Sequence, residues 1–386
     1  MKIIRYSQPS LDNNDFISIK NSLKNNFLTQ GPQQLKFENK INSKFKFKYS
    51  AIVSNASNAL IVALKTLGTK FNDIIWTSNI TFCSNINSIL HLGGKAVLLD
   101  VDKDYPNISF KTLKNKLERT SKRRLPKIVI ITHMGGVSID MKKIFKLSKI
   151  YNFKILEDAS HALGSRYECG NYVGCCKYSD AAVFSLHAIK IITTGEGGII
   201  TLKSKSNYKK TKKLISHSID RSSKKKIYPR DYDVDDLGYN FRLTDFQCAL
   251  GMSQLKKINF FHKKRVNIAR IYIKNLSRQK YSFYNKNINF NSWHLFIIRI
   301  NKKFIHKKYQ LIQSLNKNKI ETRVHYIPNH LHTYYKKNNN VIFNLKDLKN
   351  SISYFEESLS IPIHPMLKNT DLRKIIKILN SAFYDL

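Results

Sequence analysis

The sequence predicts an α/β protein: a mostly parallel sheet with helices on both faces in the larger part, then a smaller α+β part. Three observations predict it. Short apolar runs alternate with amphipathic segments from about residue 49 to about residue 200, the runs span only four to six residues, and the segments between them repeat apolar residues at helical spacing. A chain of 386 residues with 42% hydrophobic content can supply two such parts, each with its own core.

The first segment, "DFISIKNSLKNNFLTQGPQQLKFENKINSKF", reads as two helices parted by a Gly-Pro turn. "YSAIVS" follows as a strand. "SNALIVALKTLG" is a helix, because Leu60, Ala63, Leu64 and Leu67 keep the i, i+3, i+4, i+7 spacing and Gly68 closes it. The strands "DIIWTS", "KAVLLDVD", "KIVIIT" and "FKILED" then alternate with the helices "FCSNINSILHLGG", "SFKTLKNKLERTS" and "DMKKIFKLSKIYN". "AAVFSL" and "GGIITL" complete the strands of the larger part, and a lysine-rich helix and the polar loop "SIDRSSKKKIYPRDYDVDD" come next. "RLTDFQCALGMSQLKKINFFHKKRVNIARIYIKNL" reads as a long helical region interrupted near Gly251. Beyond it, "SWHLFIIRI" is a strand, "KKYQLIQSLNKNK" a helix, "IETRVHYI" a strand and "DLRKIIKILNSAF" the last helix. The boundary is expected near residue 250, dividing the chain into 1–250 and 251–386.

The 67 Lys+Arg against 26 Asp+Glu give a formal net charge of +41, which raises the question of a polyanionic partner. The lysines are spread along almost the whole chain among Asn, Ile, Phe and Tyr, and no recognised nucleic-acid module is present, so the excess reads as a bias of solvated faces. Nucleic-acid binding is therefore not expected. The five cysteines form no repeated metal-type spacing and are too few for a disulfide scaffold. "MKIIRYSQPS" has too short an apolar part for a signal peptide, and no run approaches 18 apolar residues, so a cytoplasmic protein without membrane insertion or a metal centre is expected.

Ligands of an open α/β sheet sit at the carboxyl ends of its strands, and three candidates collect there. In "VSNASNALIVAL", Ala56 and Ser57 lie at a strand-to-helix junction, either as a phosphate seat or as part of an ordinary N-cap. In "ILEDASHALG" a strand ends in Glu157 and Asp158 with His161 three residues later, a pattern common to metal and cofactor sites. In "SLHAIKIITTGEGG", Lys190 stands between apolar neighbours ahead of a glycine-rich turn, either as a lysine reaching out from the end of an element or as a reactive amine. Neither a nicotinamide nor an ATP glycine loop accompanies them. A phosphate seat, a strand-end carboxylate and a semi-buried lysine together suit pyridoxal phosphate.

"FLTQGP", "VSNASNAL", "TSNITFCSN", "LEDASHALG", "SLHAIKIITTGEGG" and "DLGYNFRLTDFQCALG" resemble, in order and spacing, the signature segments of the DegT/DnrJ/EryC1/StrS family of pyridoxal-phosphate nucleotide-sugar aminotransferases. The resemblance implies fold type I, the aspartate-aminotransferase-like architecture, and an obligate homodimer with shared active sites. Lys190 matches the lysine that bonds the cofactor aldehyde, Asp158 the carboxylate beside the pyridinium nitrogen, and His161 the residue near the ring hydroxyl. Phe82 matches the stacking aromatic, Ala56 and Ser57 the phosphate loop, and Ser185 a further phosphate ligand. Asn240 and, less directly, Arg242 match residues that the partner subunit contributes. Relatives that remove a hydroxyl carry histidine in place of this lysine, so Lys190 argues for amino transfer, with glutamate as donor and pyridoxamine phosphate as the alternate cofactor form.

"FLTQGP" and "RVHYIPNH" look most like enzymes that place the C4 amine on a UDP-4-keto-6-deoxy-N-acetylhexosamine on the route to pseudaminic acid, which makes Arg323, His325 and Tyr326 candidate substrate contacts. "THMGG" at Thr132–Gly136 and "SHSIDRS" after Lys213–Ile215 depart from the family pattern, the second beside a loop expected to border the sugar. A dTDP- or GDP-linked keto-sugar, amination at C3, and a non-catalytic regulator of the same fold are the alternatives.

Overall fold

In the computed structural model, which describes residues 3–221, 228 and 231–383, every helix and strand expected up to residue 214 is present. Helices α1 (Asn13–Leu23) and α2 (Pro32–Phe45) precede strands β1 (Tyr49–Val53), β2 (Ile74–Ser78), β3 (Lys95–Leu99), β4 (Ile128–Thr132), β5 (Lys154–Asp158), β6 (Ala181–Ser185) and β7 (Gly198–Leu202). Between and after these strands lie α3 (Ala56–Thr66), α4 (Ser84–His91), α5 (Phe110–Glu118), α6 (Met141–Ile150) and α7 (Lys205–Leu214). Their starts follow from capping: the side chains of Asp12, Asn55, Ser109, Asp140 and Ser204 accept from amides in the first turns of α1, α3, α5, α6 and α7.

The chain continues through the short antiparallel pair β8 (Ile219–Asp220) and β9 (Asp233–Val234) into a single long helix, α8 (Asp245–Asn275). After it come β10 (Tyr281–Phe283), β11 (Phe296–Ile300), α9 (Lys308–Lys317), α10 (Thr333–Lys337), β12 (Val341–Ile342), α11 (Lys349–Glu357), β13 (Ser358–Ile361) and α12 (Asn369–Ser381). The main sheet has eight strands in the order β1-β7-β6-β5-β4-β2-β3-β12. Only β7 runs against its neighbours, so the carboxyl ends of the other strands share one edge of the sheet.

Successive residues of a strand point to opposite faces, and the two cores divide accordingly. Val129 and Ile131 of β4 pack with residues of α2, α5, α6 and α8, whereas Ile128 and Ile130 pack with α3, α4 and α7. A third core lies between the sheet β10-β11-β13, α9, α12 and the second half of α8, from Ile268 onward. Residue 250, where the boundary was expected, thus falls inside α8. Among the described residues no helix is long and apolar enough to cross a membrane.

Three expectations are corrected. The helical region is not interrupted at Gly251: α8 runs through it, and a Cβ there would stand 2.5 Å from Phe37 and 2.8 Å from Thr194. The glycine admits a close crossing of α2 over α8. "IETRVHYI" is not a strand; Ile320 and Arg323 make only isolated bridges, to Ile4 and Ser360, and the segment crosses toward the sheet edge. The polar loop after α7 carries β8 and β9, although residues 222–227 and 229–230 of it lie outside the described residues. β10, β12, β13, α10 and α11 were not foreseen, their runs being too short to show a period.

Candidate active site

The carboxyl ends of β1, β4, β5 and β6 open on a cavity of about 590 Å³. On its first side α3 begins: Asn55 Oδ1 accepts from the Asn58 amide at 2.8 Å, and Ala56 and Ser57, in the first turn, have amides without intrahelical acceptors. Gly198 explains the glycine-rich turn, because a Cβ at that point would lie 2.6 Å from the Asn55 carbonyl oxygen and 3.0 Å from the Ala56 nitrogen. Only glycine lets β7 start against this helix end. Ser185, the last residue of β6, lines the same side and accepts from the His187 amide at 3.3 Å.

Asp158 ends β5 opposite Thr132 of β4, and both line the cavity. The Asp158 carboxylate is buried and accepts one bond from a described residue, from the Ser160 amide at 3.1 Å. A carboxylate so placed calls for a cationic partner from within the cavity. His161 accepts from the Gly135 amide at Nδ1, 3.2 Å away, so its neutral ring carries the proton on Nε2, which lies 3.4 Å from the Tyr326 hydroxyl. Burial, then the neighbouring Lys190 and His325, push its pKa well below the ordinary value. "THMGG" finds its reason here: Gly135 and Gly136 both adopt positive φ, 63° and 88°, and turn the chain beneath His161.

Lys190 sits in the turn between β6 and β7, its amide donating to the His187 carbonyl at 2.9 Å, and Ser7 Oγ donates to the carbonyl of Ile189 at 3.1 Å. Its side chain faces the cavity. Desolvation pushes the amine down to about 8 from 10.5, against the pull of Asp158. Phe82 stands half-exposed at the wall, its ring centroid 5.7 Å from that of Tyr326. His325 and Tyr326 line the cavity too, His325 anchored by Ser360 Oγ at 2.9 Å. Burial, Lys190 and Arg323 lower the His325 pKa to about 3, and burial, foremost, raises that of Tyr326.

Three sequence candidates lie outside this cavity. Arg323 is exposed and paired with Glu321 at 2.8 Å, its guanidinium 5.9 Å from the ring centroid of Tyr6, which does line the cavity. Asn240 is exposed and bridges to Ser216, and Arg242 donates to Ser216 Oγ at 3.0 Å. The departure "SHSIDRS" lies beside them: His217 and Ser218 both hold positive φ, 60° and 54°, a backbone that favours glycine. Sequence reasoning missed Tyr6, Thr132, His187, Glu196 and His294, all on the cavity wall. None belongs to a pattern that names a role, and Tyr6 arrives from the far end of the chain.

An anion seat at a helix end, a buried carboxylate short of partners and a lysine of lowered pKa meet on one cavity at the edge of a mostly parallel sheet, and these residues fit pyridoxal phosphate. The fold and site define a fold type I pyridoxal-phosphate enzyme. Residues 9–380 match the DegT/DnrJ/EryC1/StrS aminotransferase family, and the chain belongs to it. It is 34% identical over 373 residues to the UDP-4-amino-4,6-dideoxy-N-acetyl-beta-L-altrosamine transaminase of Campylobacter jejuni, covering 96% of this chain and 95% of that protein. With the spore coat polysaccharide biosynthesis protein SpsC of Bacillus subtilis it shares 30% identity over 382 residues, 96% of this chain and 95% of the other. The solved structure of Helicobacter pylori PseC, an aminotransferase involved in the biosynthesis of pseudoaminic acid, superposes with a TM-score of 0.90 at 29% identity over 100% of both chains. The protein is a pyridoxal-phosphate-dependent aminotransferase of nucleotide-linked sugars.

Proposed function

We propose that the enzyme moves the amino group of glutamate to C4 of a UDP-linked 4-keto-6-deoxy-N-acetylhexosamine. The observation that carries the chemistry is the convergence of Lys190, Asp158 and His161 on one cavity beside the first turn of α3. What favours this sugar is the similarity to altrosamine transaminases, 34% identical in Campylobacter jejuni, together with "FLTQGP" and "RVHYIPNH".

When bound, pyridoxal phosphate supplies an aldehyde that takes up the amino group and a ring that spreads the electrons released on breaking a C–H bond. Ala56, Ser57 and Ser185 would hold the phosphate, Asp158 would keep a proton on the ring nitrogen, His161 would orient the ring hydroxyl and Phe82 would cover the ring face. Lys190 Nζ, lowered to about 8 by desolvation, is the amine that would hold the aldehyde and would carry the proton to and from the substrate carbon. His325, buried, and Tyr326, partly buried, line the same cavity and orient the sugar, and exposed Arg323, beside the cavity-lining Tyr6, would meet the diphosphate.

The same reading makes the enzyme a homodimer in which Asn240 and Arg242 complete the neighbour's site. It is supported by large apolar side chains left in solvent on α1, α2 and the turn between them, Phe16, Ile17, Phe27, Leu28 and Leu35, which a partner subunit would cover. The test offers a panel of 4-keto and 3-keto nucleotide sugars with ¹⁵N-glutamate and locates the nitrogen by NMR. Label at C4 of the UDP-N-acetylhexosamine is expected; label at C3, or turnover only with a dTDP-sugar lacking the acetamido group, overturns the substrate.

A further inference from the structure

Four buried histidines keep one ring nitrogen unpaired: His133, His294, His330 and His364. In three of them the other nitrogen is bonded, His133 Nε2 to Glu157 at 2.7 Å, His330 Nδ1 to Asn79 at 2.9 Å and His364 Nε2 to the Arg5 carbonyl at 3.1 Å. His294 differs. Its Nδ1 is sealed without a partner, and its Nε2, which is not sealed, makes no hydrogen bond to a described residue, although the residue is 2% exposed and lines the cavity. A phenylalanine of similar shape would fill the space without leaving polar atoms unsatisfied, so the imidazole is a cost to the empty protein.

The backbone that carries this ring is clamped. Arg265 of α8, itself buried, donates from Nη1 to the carbonyls of Trp293 at 3.0 Å, His294 at 3.4 Å and Ile363 at 2.8 Å. The His294 ring is thereby set 4.4 Å from that of His161, centroid to centroid, with 43° between the planes. Burial, then Lys190, His161, Arg265 and His325, hold its pKa well below 6.5, so the ring is neutral and offers one N–H and one lone pair.

We infer that His294 is a second cofactor-contacting imidazole of this site, beside His161, and hydrogen-bonds bound pyridoxal phosphate on the side of its ring hydroxyl. The inference rests on the role given to His161 above. The ligand supplies a partner at Nε2, the nitrogen that is not sealed, and Arg265 fixes the backbone from which the ring projects.

The experiment titrates the full-length protein, freed of cofactor, with pyridoxal phosphate and follows the visible band across pH, for the wild type, H294F, H294Q and H161F, with folding checked by circular dichroism. H294F is expected to raise Kd about tenfold, the worth of one neutral hydrogen bond, and to shift the pH midpoint of the band, while H294Q stays within about threefold of the wild type. Should H294F bind and titrate like the wild type while H161F is impaired, the inference falls and the reading of the site stands. A wild type that binds no pyridoxal phosphate overturns both. H294A provides the second comparison: affinity restored by added imidazole supports a contacting ring, and wild-type affinity without imidazole refutes it.

Discussion

Between Ile189 and Ile191, Lys190 is held in a turn whose surroundings favour its neutral form, and this has consequences that can be measured. Borohydride reduction of the coloured holoenzyme followed by peptide mapping should put the label on Lys190, and K190A should lose transamination altogether. In the cofactor-free protein the folded amine titrates near 8 and the unfolded one near 10.5, so the folded chain holds fewer protons between those values and gains stability as pH rises through them. Urea denaturation should therefore show wild type gaining on K190M from pH 8 to pH 10; parallel curves would refute a buried amine. At Asp158 the substitution D158N keeps the shape and removes the charge. Stopped-flow measurement of the glutamate half-reaction should find it slowed by at least about a hundredfold with cofactor still bound.

Among the elements, the crossing of α2 and α8 depends on residues whose role no single segment reveals. Asp245, at the start of α8, accepts from the amides of Gly31 and Gln33 at 2.9 and 3.0 Å and so caps α2 from outside it. Gly31 is required for that approach, since a Cβ would lie 2.5 Å from the carboxylate. Strand β1, which begins at Tyr49, packs against α2, whose other face meets α8 at Gly251. G251V should cost about 2 kcal/mol in chemical denaturation, and F37A should recover part of that loss in the double variant, because the clash is with the Phe37 ring. Additive losses would show that the two residues do not meet.

For the whole molecule, the proposed second copy would give a role to Asn240 and to the exposed apolar side chains around α1 and α2. Mixing K190A with N240A subunits should restore up to about a quarter of wild-type sites under random exchange, because a heterodimer then contains one site with both residues intact. No recovery, with exchange demonstrated by mass spectrometry and each variant inactive alone, would count against the shared site.

The alternation of apolar runs and amphipathic helices, with Lys190, Asp158, His161 and Ser57 at strand ends, was determined by the sequence itself, because period and capping are local properties that each segment carries alone. The same locality explains the errors. Gly251 reads as a breaker until Phe37 is packed against it, and "IETRVHYI" has the residues of a strand but makes only single bridges to two different segments, at Ile4 and Ser360. Tyr6, Thr132 and His294 reached the cavity through contacts far apart in the chain. Only the tertiary structure decided these, since the burial that empties His294 of partners and lowers the Lys190 pKa arises from segments that meet in space and not in sequence.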